Sequence, residues 1–144
     1  MPKINRSLLV QFTAEQMYNL VNAVDHYPQF LPWCSKGIIH RVSDNEMEAT
    51  IYFSHGIINK SFTTQNTLAV NKSIHMKLLE GPFRQFEGTW RFEQAGTASC
   101  QLSFDLDFEF SSPLIAMAAG PIFQQAISSM VEAFVKRAQE LYPS

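Results

Sequence analysis

Asp25, His26 and Tyr27 stand side by side, the one place in the sequence where a carboxylate, an imidazole and a phenol come together. A general acid or base must sit within hydrogen-bond reach of its substrate, and no other cluster here invites that role. Local rules account for it more simply. Asp25 is placed to cap a short helix with Pro28 in its first turn, where the missing N–H does no harm, and His26 at the start of that helix is half exposed. There is no GxSxG nucleophile turn and no Gly-rich phosphate loop. Asp105, Asp107 and Glu109 share one face of a strand as its solvated half. Cys34 and Cys100 are the only cysteines, and neither begins a CxxC or CxxH pattern. His26, His40, His55 and His75 are scattered without metal-ligand spacing. The expectation is two buried free thiols, no metal and no catalytic residue.

The stretch around the trio, DHYPQFLPWC at 25–34, carries large apolar groups instead of chemistry. Pro32 stops the short helix by pushing Leu31 towards an extended conformation. Tyr27, Phe30, Leu31 and Trp33 are thus crowded onto one or two turns, too short an element to hide them. They must face a core or a ligand.

The chain has 144 residues, 17% of them charged, and a formal net charge of −2 with no polybasic run. That fits one domain over 1–144 with a sizeable core and excludes the electrostatic footprint of a general DNA binder. The N-terminal apolar run LLV is far short of a signal-peptide core, so the expected compartment is the cytoplasm.

Residues 3–10 suit a strand. Thr13 and Gln16 then form a capping box for a helix whose face is Met17, Leu20, Val21 and Val24, ending near Val24. After the short helix the period becomes two, with turn signals at 43–46, 54–56, 70–73, 80–82 and 94–97, the pattern of an antiparallel meander. CQLSFDLDFEF at 100–110 is its clearest strand, apolar at every second position. Ser112 and Pro113 open a long C-terminal helix with the stripe Phe123, Ile127, Met130, Phe134, Ala138 and Leu141. Gly120-Pro121 predicts a kink or a fresh start. The uncharged run from 110 to 131 is too interrupted by serine, glutamine and Gly-Pro to span a bilayer.

This order predicts an α+β domain: a curved antiparallel sheet of six or seven strands wrapped around the C-terminal helix, with two short helices after the first strand. Where sheet and helix diverge, an apolar pocket opens, lidded by Phe30, Leu31 and Trp33. Trp90, Phe104, Leu106, Phe108, Phe123, Met130 and Phe134 fill that space as core or line it as cavity, and the pattern does not choose.

Four blocks then carry a resemblance: YPQFLPWC at 27–34, GPFRQFEGTWRF at 81–92, CQLSFDLDFEFSSPL at 100–114 and AFVKRAQELY at 133–142. Together they resemble the coenzyme Q-binding branch of the START, or polyketide cyclase-like, helix-grip superfamily, in order and over nearly the whole chain. The resemblance implies a lipid-binding fold. Mitochondrial relatives bind coenzyme Q, a bacterial relative is a toxin that blocks ribosomal subunit joining, and some members of the wider superfamily are cyclases or hydrolases. The expected ligand is therefore ubiquinone or another isoprenoid lipid, bound without catalysis. The large ribosomal subunit is the alternative partner, and peripheral membrane contact is a further expectation. The expected cavity lining is Phe30, Leu31, Trp33, Phe86, Trp90, Phe104, Leu106, Phe108, Phe123, Ile127, Met130 and Phe134. His26, Tyr27 and Arg84 are the main candidates to donate to quinone carbonyls, with Trp33 and Trp90 able to do so as well.

Overall fold

The expected capping box forms at Thr13, whose hydroxyl accepts from the Gln16 N–H at 3.0 Å while Gln16 Oε1 accepts from the Thr13 N–H at 2.9 Å. It starts α1 (Ala14–Asn22), which follows β1 (Lys3–Val10). These details come from a computed structural model, which describes residues 3–143. Residues 1, 2 and 144 of the expected domain lie outside the described residues.

A 3-10 helix (Val24–Gln29) comes next and leads into six strands: β2 (Cys34–Val42), β3 (Glu46–His55), β4 (Ile58–Ala69), β5 (Ser73–Glu80), β6 (Phe83–Gln94) and β7 (Cys100–Phe110). Every pairing is antiparallel, in the order β1-β7-β6-β5-β4-β3-β2. Register shifts in β2, at the β4–β5 pairing and at the start of β6 mark bulges, which bend strands and let a sheet curve. The inner face is apolar, and across it lie α2 (Pro113–Ser128) and α3 (Met130–Leu141). This is the helix-grip architecture that the order of elements predicts.

Three local expectations are corrected. Asp25 does not cap the short helix: α1 ends at Asn22, two residues earlier than its apolar stripe suggests, so Ala23 is the cap residue and Asp25 falls inside the next turn. The compact 3-10 path also carries Pro28 past the first turn, to the fifth of six positions. The short helix ends at Gln29, capped by Phe30, three residues ahead of Pro32, which takes the second position of a turn closed by the Cys34 N–H on the Leu31 carbonyl at 3.0 Å.

The helix does not break at Gly120-Pro121. It runs through both residues, because Met117, whose carbonyl loses its partner, and Pro121 lie on the outer, solvated face. The break falls instead at Ser129, where the Ser128 and Ser129 hydroxyls donate to the Gln125 and Ala126 carbonyls and compete with the helical ladder. The two helices meet there at 42°, and no single helix among the described residues is long and apolar enough to cross a membrane. Leu141, expected in the buried stripe, is 47% exposed, while Phe123, Ile127, Met130, Phe134 and Ala138 are buried.

Two phenylalanines anchor the helices to the sheet. Phe123 of α2 lies 5.0–6.3 Å, centroid to centroid, from the rings of Phe53, Phe62, Phe83, Phe108 and Phe110. Phe134 of α3 is fully buried, edge-on to Trp90, Tyr27 and Phe30 at 5.3 Å.

The 3-10 helix lies directly on β2, and Gly37 makes that approach possible: a Cβ there would stand 2.1 Å from the Val24 carbonyl oxygen and 3.0 Å from its carbon. Both atoms are backbone, so no side-chain rotation relieves the clash. Gly37→Ala is expected to lower the free energy of unfolding by at least about 2 kcal/mol, measured as a fall in urea midpoint at unchanged slope.

Candidate functional site

Where α1 gives way to the 3-10 helix, Val21, Asn22, Val24 and Tyr27 roof a small space over the sheet. Ala49 and Ile51 of β3, Phe62, Thr64 and Asn66 of β4, Ile74 and Met76 of β5 and Trp90 of β6 form its floor and walls. Its volume is about 20 Å³, room for about one water molecule. A second hollow of about 10 Å³ lies against α2, lined by Phe53, Ile58, Phe62, Pro82, Phe83, Phe110, Ala119 and Phe123, with Lys60 beside them. The pocket expected between sheet and C-terminal helix is thus corrected: the inner space lies under α1 and the 3-10 helix, only the outer hollow touches the C-terminal segment, and Phe62 borders both. Larger hollows are open grooves on the outside, about 760 Å³ beside residues 13–15, 70–73 and 91–94, about 600 Å³ between β1 and α3, and about 380 Å³ beside residues 41–43 and 46–48.

The inner space has a polar end. Thr64 and Asn66 are buried on the concave face of β4, on the same side as Phe62 and Leu68. Thr64 donates to Asn66 Oδ1 at 2.8 Å, a bond that leaves the Asn66 NH₂ donors for another acceptor. Asn22 lines the same space, and its Oδ1 is buried without a hydrogen-bond partner. Buried polar atoms are nearly always paired, and one that is not points to strain or to a ligand. The sequence reading missed this set because the polar Thr64 and Asn66 interrupt the apolar alternation of FTTQNTL at 62–68. The signal was the parity they share with the apolar Phe62 and Leu68 on either side.

The anticipated residues fall into three groups. Tyr27 and Trp90 line the inner space and Phe123 the outer one. Leu31, Phe86, Phe104, Leu106, Phe108, Ile127, Met130 and Phe134 are buried in the packed interior beside these spaces, and Trp90 stacks on Phe104 at 4.3 Å. Trp33 is buried against Phe53 at 5.6 Å. Phe30 is half-buried, between Phe134 and the Arg137 guanidinium, which lies 5.4 Å over its ring.

Of the three expected headgroup donors, two are at the surface. His26 is exposed, 4.0 Å from Asp25, and Arg84 is exposed and paired with Glu109. Both stand outside the cavity. The Tyr27 hydroxyl is already committed, donating to the Val21 carbonyl. Each of the five arginines faces a carboxylate: Arg6 with Glu132, Arg41 with Glu48, Arg84 with Glu109, Arg91 with Asp105 and Arg137 with Glu140.

Cys34 and Cys100 are buried free thiols. Burial pushes each up to about 11 from an ordinary value of 9.0, and it also raises the Tyr27 phenol well above its usual range, with Cys34 adding to the effect.

A family model described as polyketide cyclase / dehydrase and lipid transport matches residues 10–135. The ribosome association toxin RatA of Escherichia coli is 45% identical over 142 residues, which covers 99% of this chain and 90% of that protein. The mitochondrial coenzyme Q-binding protein COQ10 of Dictyostelium discoideum is 30% identical over 139 residues, 94% of this chain and 68% of that one. Among solved structures, the Zhui aromatase/cyclase from Streptomyces sp. R1128 superposes with a TM-score of 0.83 over 99% of this chain and 96% of its own, at 14% identity, a likeness of fold alone.

The raised thiols make stability depend on pH in a defined direction. Unfolded thiols ionise near 9 and folded ones near 11, so the unfolded chain holds fewer protons between these values and stability falls as pH rises through that window. The stabilisation is complete below pH 9. The urea midpoint should therefore decline from pH 9 to 11, and more shallowly in a Cys34→Ala/Cys100→Ala variant.

Proposed function

We propose that this chain, which belongs to the polyketide cyclase / dehydrase and lipid transport family, is a non-catalytic binder of a polyprenyl quinone or a similar isoprenoid lipid. The observation that carries the reading is the shape of the interior: a space with a polar end at Asn22, Thr64 and Asn66, continued past Phe62 by a hollow lined with aromatic rings. A small polar head followed by a long apolar tail matches that order. The volumes set a condition, for a quinone ring does not fit in 20 Å³. Loading requires the Phe62 ring, which borders both spaces, and the flexible Met76 side chain to move aside. The return is large, since each tail CH₂ removed from water contributes about 0.8 kcal/mol.

Catalysis is disfavoured by placement. Asp25 and His26 are exposed and lie outside the cavity, and the Tyr27 hydroxyl is occupied by a backbone carbonyl. The COQ10 relative's name points to the same ligand class.

A second reading, action on the ribosome, is favoured by the 45% identity with RatA over nearly the full length of both chains. Its physical support is weaker. Binding to ribosomal RNA draws on Lys and Arg contacts to phosphates, and here every arginine faces a carboxylate, while Lys36, Lys60, Lys72, Lys77 and Lys136, without an ion pair among the described residues, form no polybasic run.

The deciding experiment is mass spectrometry of an organic extract of the protein purified from a respiring bacterial host. A near-stoichiometric polyprenyl quinone or quinol is the expected result, and an extract without any isoprenoid lipid would overturn the reading. The ribosomal reading is checked by gradient sedimentation: added protein at a severalfold excess should leave the ratio of joined to free subunits unchanged if lipid binding is the whole function, and lower it if the second reading holds.

A further inference from the structure

We infer that Asn22, Thr64 and Asn66 form a headgroup seat that selects the reduced, hydroxyl-bearing form of its ligand, a quinol, over the oxidised quinone. This rests on the reading of the protein as an isoprenoid-quinone binder and goes beyond it to the redox state of what is bound.

The reasoning is an inventory of donors and acceptors at one end of the cavity. Asn66 offers NH₂ donors, because its carbonyl oxygen is taken by the Thr64 hydroxyl at 2.8 Å. Asn22, which lines the same space, offers the opposite: its Oδ1 is a buried acceptor, unpaired among the described residues. A quinone has carbonyl and ether oxygens only, so it accepts from Asn66 and leaves Asn22 Oδ1 as orphaned as before. A quinol hydroxyl accepts from Asn66 through its oxygen and donates its hydrogen to Asn22, and both protein groups are then satisfied. The two headgroups have nearly the same shape, so this one hydrogen bond is the difference between them. A site built to receive a donor discriminates against the analogue that lacks it, because the buried partner is left unpaired.

The Thr64 and Tyr27 oxygens can also accept, but each group already has a hydrogen bond, so among the described residues Asn22 Oδ1 is the one buried acceptor whose pairing depends on the ligand. Tyr27, the nearest hydroxyl in the roof, donates to the Val21 carbonyl, and the remaining walls are the side chains of Val21, Val24, Ala49, Ile51, Phe62, Ile74, Met76 and Trp90. They provide volume and contact for either form alike.

The test titrates the full chain anaerobically with a short-tailed benzoquinol and, separately, with the corresponding benzoquinone, following tryptophan fluorescence because Trp90 lines the site. The quinol is expected to bind roughly tenfold more tightly. Asn22→Leu is expected to abolish the difference by weakening quinol binding to the quinone's level. That variant should also be at least as stable as the parent to urea, since it replaces an unpaired buried acceptor by an apolar group of similar size. Equal affinities in the parent protein would overturn the inference and leave lipid binding standing, as would a preference for quinol that persists in Asn22→Leu. Failure of both forms to bind would overturn the underlying reading together with the inference.

Discussion

The fold depends on the burial of Phe134. Two regions distant in sequence meet on its ring: the sheet through Trp90, and the short helix with its cap through Tyr27 and Phe30, each edge-on at 5.3 Å. Truncating such a residue costs about 3–5 kcal/mol, a large part of the 5–15 kcal/mol that holds a typical domain together. Phe123 does the same for α2 against the strand ends. Between these two anchors the concave face is filled almost completely, and the small spaces under the short helix and against α2 are what the ring geometry leaves over.

That geometry explains where the polar end of the cavity sits. Gly37 lets the backbone at Val24 come down onto β2, which brings the last turn of α1, and Asn22 with it, over β4. An acceptor oxygen that would meet water on an isolated helix is thereby sealed in. A buried polar atom without a partner costs about 1–3 kcal/mol. The same face of β4 carries a second departure from an apolar core in Thr64 and Asn66, whose mutual hydrogen bond offsets part of the desolvation. Sites of function are where such local departures from good folding practice collect.

The elements were legible in the sequence because each has a strong local cause. The Thr13–Gln16 box, the turn signals and the alternation of residues 100–110 produce the helix, the meander and β7 as read. What was not legible depends on which side of an element meets solvent. Pro121 breaks nothing because its missing hydrogen bond falls on the wet face of α2, whereas two ordinary serines at 128 and 129 do end the helix. The site shows the same division. The aromatic block at 27–34 was expected to lid the pocket with Phe30, Leu31 and Trp33, but none of these lines either space, and Tyr27, expected as a headgroup donor, is the residue of the block that does. Asn22, Thr64 and Asn66 carry no motif, and their meeting is a product of tertiary packing between α1 and β4. His26 and Arg84 drew attention by their chemistry alone, and their exposure removes them from the cavity.

The bend at Ser129 divides the mechanical load of the C-terminal segment. Phe134, beyond the bend, is tied to the sheet and the short helix, while α2, before it, covers the aromatic hollow through Ala119 and Phe123. A straight helix would transmit any displacement of its first half into the Phe134 cluster. A helix already interrupted at 42° does not. The contacts that hold α2, through Phe123, and those that hold α3, through Phe134, are made with different rings of the interior. The C-terminal segment is thus fastened at two separate points, one on each side of its bend, so a substitution at one point leaves the contacts of the other in place.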